Sequence, residues 1–136
     1  MPVETKTEAI CANVLVVEDD RRLLASMSRR LKAAGCRCIT CDNAGEAMIQ
    51  FTAGGIDLVI TDLTMPGVDG LSVIGLIRSQ SDVPIIVISG HAAEYAPLLS
   101  RYKNVTMIRK PFQLESFITR VQAALLQPGK EHAHSH

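Results

Sequence analysis

At 136 residues the chain has room for one domain of ordinary size, and with 47% hydrophobic residues it can bury a real core but not build a second folded module. Lys plus Arg total 14 against 14 for Asp plus Glu, so the formal charge is zero, and no overall basic field favours nucleic acid or an acidic membrane. Residues 1–12 carry acidic groups and no long apolar run, which argues against a signal peptide or membrane anchor and predicts a flexible segment on a cytoplasmic protein.

Asn13 to Val17 is an apolar run of strand length that ends directly in Glu18, Asp19 and Asp20, so a first strand delivers carboxylates at its carboxyl end. Arg21 to Ala34 follows with Leu24, Met27 and Leu31 at helical spacing, an Asp available as N-cap and Gly35 as the stop. Cys36 to Cys41 reads as a second strand. Of the four cysteines, Cys11, Cys36, Cys38 and Cys41, the last three crowd into this strand, but no nearby His completes a metal-binding set of four. Alternation sends Cys36 and Cys38 to one face and Cys41 to the other, so core packing is the better expectation. Asn43 opens a second helix with Glu46 three residues on, as in a capping box; Ala47, Met48 and Phe51 form its buried face, and Gly54-Gly55 end it.

Leu58, Val59 and Ile60 form a short, fully buried third strand, closed by Thr61-Asp62 before the Met65-Pro66-Gly67 turn. Asp62 therefore stands at the carboxyl end of a strand, where ligands and chemistry collect in open α/β sheets. It is a candidate nucleophile or metal ligand, and capping the turn is the plain alternative. Asp69-Gly70 open a third helix carrying Leu71, Ile74 and Ile77 as far as Ser79. Val83 to Ile88 is the most strand-like run, with Pro84 at its start, where a missing N–H is tolerated, and Ser89-Gly90-His91 at its end. Ala92 to Tyr102 is a weaker helix containing Pro97. Val105 to Ile108 makes a fifth strand ending in Arg109-Lys110-Pro111, and Gln113 to Leu126 a last helix with Leu114, Phe117, Ile118, Val121 and Leu125 toward the core. Residues 127–136 are expected to be a disordered tail whose alternating His132, His134 and His136 are solvated rather than metal-binding.

Strands alternating with helices through short connections predict an α/β fold: a doubly wound, three-layer sandwich around a five-stranded parallel sheet. Right-handed crossovers then bring Glu18 and Asp19, Asp62, Ser89 and Lys110 to one sheet edge. Converging carboxylates repel unless a cation neutralises them, and oxygen donors suit a hard divalent ion such as Mg²⁺, which leaves room for phosphate oxygens. Lys110 and the Ser89 hydroxyl supply a charge and a donor for a phosphoryl group, and Asp62 becomes its acceptor. Singly, each residue has a plain reading: the acidic run caps a helix, Ser89 sits in a turn, Lys110 is solvated. Their coincidence on four strand ends argues otherwise.

Over Asn13 to Leu126 the chain resembles the receiver domain of two-component response regulators, a CheY-like, flavodoxin-like fold; the motifs are VLVVEDD, DLVITDLTMPGVDG, IIVISG and RKPF. The resemblance implies Asp62 as phosphoacceptor, Glu18, Asp19 and Asp62 as Mg²⁺ ligands with the Thr64 backbone carbonyl, and Ser89 and Lys110 as switch hydroxyl and phosphoryl contact. It further implies a cis bond before Pro111. The implied partner is a sensor histidine kinase or a histidine phosphotransfer protein, and the fourth helix, fifth strand and fifth helix offer a face for a homodimer, with no direct role for nucleic acid or membrane. Such a domain is a regulatory phosphoacceptor, catalysing only its own phosphorylation and dephosphorylation. One position departs from the family: Met107 stands where Tyr or Phe is usual, three residues before Lys110, which predicts a looser switch. Thr64 and His91 flank the site, and neither is an acid or amide suited to orient hydrolytic water, so a long-lived aspartyl phosphate is expected. A haloacid-dehalogenase-like phosphohydrolase shares the Asp nucleophile and Mg²⁺, but it wants a second Asp where Thr64 stands and its nucleophile on the first strand. A flavodoxin-like FMN carrier needs a phosphate-cradling loop where Glu18-Asp19-Asp20 would repel phosphate. With no output domain after Leu126, the expectation is either a stand-alone regulator or a receiver from a larger protein such as a hybrid kinase.

Overall fold

Parallel strands cannot be joined by tight turns, so each connection has to cross back over the sheet through a helix. The computed structural model, which describes residues 11–63 and 70–126, follows this rule throughout. In chain order the elements are β1 (Asn13–Val17), α1 (Arg21–Ala33), β2 (Arg37–Cys41), α2 (Ala44–Thr52), β3 (Leu58–Asp62), α3 (Gly70–Gln80), β4 (Ile85–Ser89), α4 (Ala92–Leu99), β5 (Val105–Arg109) and α5 (Leu114–Leu125). The five strands form one parallel sheet in the order β2-β1-β3-β4-β5. No helix among the described residues is long and apolar enough to cross a membrane.

The order of residues along each strand builds two cores at once. Because side chains alternate, Leu15, Val17, Val59, Ile85 and Val87 enter one apolar cluster, while Val14, Val16, Leu58, Ile60, Ile86 and Ile88 enter the other. Strands buried on both faces must therefore read as continuous apolar runs, which is why β1, β3 and β4 were legible as such. On the first side α2, α3 and α4 contribute Ala47, Phe51, Val73, Ile74, Ile77 and Leu99. On the second, α1 and α5 contribute Met27, Leu31, Phe117, Ile118 and Val121. Cys36 and Cys38 face this second cluster and Cys41 the first, so the cysteine-rich stretch is a strand packed on both faces. Burial pushes the Cys36 and Cys41 thiols up to about 11, with neighbouring groups adding to the effect.

Helix ends follow local chemistry. Asp20 caps α1, its carboxylate accepting from the N–H groups of Arg22 and Leu23 at 3.0 and 3.2 Å. At the other end Gly35, at φ 98°, lets its own N–H reach Lys32 O and that of Cys36 reach Leu31 O, both at 3.0 Å. The capping box expected on α2 is half formed: Asn43 accepts from Glu46 N at 2.8 Å, but the Glu46 carboxylate accepts from Gln50 at 3.1 Å instead of reaching back. Helix α4 stops at Leu99, short of the expected Tyr102. Ser100 closes it, its N–H donating to Ala96 O at 3.1 Å and its Oγ to Pro97 O at 2.7 Å, and beyond it the chain tightens, Tyr102 N donating three residues back to Leu99 O at 3.0 Å.

Phe117 is fully buried between α5 and the sheet. Phe117→Ala should lower unfolding stability by about 3–5 kcal/mol, measured by urea denaturation, because the cavity cannot collapse against a strand buried on both faces.

Candidate functional site

With β1, β3, β4 and β5 as consecutive neighbours, their carboxyl ends open onto one edge. Asp62 is the last residue of β3, Ser89 the last of β4, Glu18 directly follows β1, and Lys110 directly follows β5. The ladder extends just far enough to hold them: Glu18 N donates to Cys41 O at 3.0 Å, Leu63 N to Ile88 O at 3.2 Å, and Lys110 N to Ser89 O at 2.9 Å. The residues expected to converge are therefore anchored by a backbone hydrogen bond to a neighbouring strand at or beside each strand end.

Lys110 Nζ lies 3.0 Å from Asp62 Oδ2 and 3.2 Å from Glu18 Oε1, a single ammonium between two carboxylates. Glu18 and Asp62 are 1% and 3% exposed. The acidic run after β1 divides its labour: Asp20 caps α1, Asp19 is exposed at the mouth of the site, and Glu18 turns inward, where its Oε2 accepts from Asp20 N at 3.1 Å. One carboxylate oxygen from each of Glu18, Asp19 and Asp62 lies within 4.8 Å of the others. Three hard oxygen donors at this spacing fit a hard divalent cation such as Mg²⁺.

Electrostatics point the same way. Burial, then the adjacent Asp62 carboxylate, pushes the Glu18 pKa up to about 7, against the Asp20 N–H and the Lys110 charge, which hold it down. Burial disfavours the Lys110 ammonium, but the hydrogen bond and charge of Asp62, followed by Glu18, outweigh it and raise its pKa. One ammonium thus serves two buried carboxylates.

Ser89 is completely buried, and its Oγ accepts from His91 N at 2.9 Å. Its own O–H meets no acceptor among the described residues. His91 turns away toward Glu94, Nδ1 to Oε1 3.7 Å, with its side chain 61% exposed; this is an ion pair only when the imidazole is protonated. The Lys110–Pro111 peptide is cis. Met107 is partly buried against the α2–α3–α4 side of the sheet, and Arg120 donates to its backbone oxygen at 3.0 Å. Thr64, with residues 65–69, lies outside the described residues.

Two contributors escaped sequence reasoning. The Asp20 N–H that orients Glu18 is a backbone group, invisible in side-chain patterns. Gly70 was read only as a helix start, yet a Cβ there would come 2.6 Å from Leu63 O, so α3 approaches the residue after Asp62 more closely than any side chain permits. The Asp-Gly pair at a helix start was its one available signal.

A family model described as the response regulator receiver domain matches residues 14–122. The chain is 34% identical over 120 residues to the transcriptional regulatory protein PrrA of Mycobacterium tuberculosis, an alignment covering 85% of this chain and 51% of PrrA. It spans about half the length of the curated relatives it matches. Among solved structures, the non-phosphorylated HemR receiver domain from Leptospira biflexa superposes with a TM-score of 0.80 at 26% identity, covering 85% of this chain and 94% of that one. The response regulator TrrA from Thermotoga maritima, solved in complex with Mg²⁺ and BeF, gives 0.75 at 30% identity, covering 84% and 99%. The haloacid-dehalogenase reading finds no support here, and the Asp of interest ends the third strand rather than the first.

The raised Glu18 pKa has a signed consequence. Between pH 4.5 and about 7 the folded protein retains a proton that the unfolded chain releases, so this residue's contribution to stability is present below pH 4.5 and lost as pH rises through 7. In a chelator, the melting temperature of the parent should fall relative to Glu18→Gln by several degrees from pH 5 to 8. Adding Mg²⁺ should close that gap for the parent and leave Glu18→Gln little changed.

Proposed function

Since the chain belongs to the response regulator receiver domain family, we propose that residues 13–126 form a regulatory domain that accepts a phosphoryl group on Asp62 from a phosphohistidine. The observation that carries this reading is the pair of buried carboxylates, Glu18 and Asp62, bridged by Lys110 on adjoining strand ends. Asp62 attacks phosphorus in line, the P–N bond breaks, and an aspartyl phosphate forms as the imidazole leaves. Lys110, already within hydrogen-bonding reach of Asp62, follows a phosphoryl oxygen. The Ser89 hydroxyl, whose proton meets no acceptor among the described residues, donates to another. Glu18, Asp19 and Asp62 would hold Mg²⁺, with the Thr64 carbonyl as a further ligand, and the ion would supply positive charge against the carboxylates and the phosphoryl group together.

The donor is a sensor histidine kinase or histidine phosphotransfer protein in the cytoplasm, and the α4–β5–α5 face is where phosphorylation alters partner binding or self-association. The domain is regulatory, and its chemistry is limited to its own phosphoryl group. Met107 fills the switch position with a flexible, unbranched side chain, so phosphorylation shifts populations by a small free energy.

Acetyl phosphate with Mg²⁺ should add one phosphoryl group to the parent by intact mass and none to Asp62→Asn; equal labelling of the variant would refute the assignment. In spectra of the beryllofluoride-bound protein, Met107→Tyr should sharpen and extend the shifts across Ala92 to Phe112. If the parent already shows one fully shifted set to which the variant adds nothing, the loose switch is wrong.

A further inference from the structure

Charge is unevenly spread along the chain. From Tyr95 to Leu126 there are five basic residues, Arg101, Lys103, Arg109, Lys110 and Arg120, and one acidic residue, Glu115, in a chain of zero formal charge. Lys110 is committed to Glu18 and Asp62, and Glu115 to Arg30 of α1. Arg101, Lys103, Arg109 and Arg120 are exposed, and none is paired with a carboxylate among the described residues.

Two of these cations lie on the free margin of the sheet, and a third leads into it. Asn104 O accepts from Ile85 N and Lys110 N donates to Ser89 O, so the even-numbered residues of β5 turn their backbone groups to β4, while Val105, Met107 and Arg109 turn theirs outward. Arg120 Nη2 donates to the outward Met107 O at 3.0 Å, which lays this guanidinium on the margin with further donors to spare. Arg109 stands two residues on, about 7 Å along the strand, its side chain leaving on the α4 side as Arg120 arrives from the α5 side. Lys103 precedes the strand at its other end. Beside Arg120, between β5 and α5, lies a cleft of about 190 Å³ whose lining includes Ile85, Thr106, Ala123 and Ala124, with no carboxylate in its wall.

We propose that the β5 margin, with the cleft beside α5, docks a short acidic segment of a partner protein that carries one large apolar side chain. The inference rests on the reading of the α4–β5–α5 face given above for its link to phosphorylation, and deepens it by naming the class of partner. Carboxylates meet Lys103, Arg109 and Arg120, and the apolar side chain fills the cleft as an anchor. Because Arg120 already holds the Met107 carbonyl, the segment docks through its side chains and does not extend the sheet. A second copy of this chain is the poorer occupant. A twofold contact sets the same surface against itself, cation facing cation, and the one carboxylate of α5 is already taken by Arg30. A nucleic acid is poorer too, because a longer polyanion runs past this stretch and meets Asp82 beside Asn104 at one end and Glu18, Asp19 and Asp62 at the other.

The test uses the full chain, isotope-labelled, titrated with a short capped peptide of glutamate that carries a single central leucine. Amide shifts should centre on Val105 to Arg109 and Arg120 to Ala124, and binding should weaken as salt screens the exposed charges. Lys103→Glu combined with Arg109→Glu should weaken binding by about tenfold or more, since opposite charges become like charges. Ala123→Phe, at an exposed position of α5, fills the cleft and should remove the advantage of leucine over alanine at the peptide's centre. The proposal is overturned if the peptide causes no shift at its solubility limit, if its lysine counterpart shifts the same residues equally, or if either variant leaves affinity for the leucine peptide unchanged. It is also overturned if a short DNA duplex displaces the peptide, or if raising the protein concentration alone, with or without beryllofluoride, shifts these residues as a dimer forms in sedimentation. Acetyl phosphate labelling of the same protein, read by intact mass, keeps the two readings apart. A parent that binds the peptide but does not label upholds the docking surface and refutes the phosphoacceptor; one that labels but does not bind does the reverse.

Discussion

A single ammonium shared by two buried carboxylates organises the carboxyl end of this sheet. Taking Glu18 and Asp62 out of water costs several kcal/mol each unless opposite charge is supplied in the same low-dielectric space. Lys110 supplies one positive charge at 3.0 and 3.2 Å, which leaves the group short by one. Part of the deficit is met by protonation, as the elevated Glu18 pKa records. The remainder is a standing demand for a cation, and once a cation is bound, for an anion to share it. The site is thus held in a state that binding relieves.

That state depends on topology more than on any one contact. β3 sits at the centre of the sheet, flanked by β1 and β4, and each neighbour contributes a group to the Asp62 environment. Since the strands are buried on both faces, none of these ends can shift without disturbing both apolar clusters. Constraint is lighter at the edge strand β5, where Met107 is only partly buried and the strand has a single neighbour.

Much of this was legible before any coordinates. Continuous apolar runs identified β1, β3 and β4 because two-sided burial removes polar alternation, and right-handed crossovers then forced four strand ends together. Amphipathic spacing found α1 and α5 because each buries one face only. What the residues did not reveal is where long or local side chains turn. His91 is adjacent to the site in sequence but pairs toward Glu94, and Asp20 leaves the acidic run to cap a helix. Helix α4 ends early where the chain tightens, Tyr102 N donating three residues back to Leu99 O at 3.0 Å, a local turn that no periodicity reports. The close approach at Gly70 is a tertiary contact, and only the neighbouring backbone of Leu63 makes it visible.

The sheet's two margins are treated differently. On β5, the Arg120 guanidinium reaches from α5 to the Met107 carbonyl at 3.0 Å, occupying an acceptor that an incoming strand would need. On β2 no described side chain makes the equivalent contact with an outward backbone group. Copies of this chain joining β2 to β5 would repeat head to tail, a heterologous arrangement that grows as a fibre unless its rotation closes it into a ring. Plugging one margin is enough to break that repeat. The other can then stay open to a single strand without exposing the protein to runaway polymerisation.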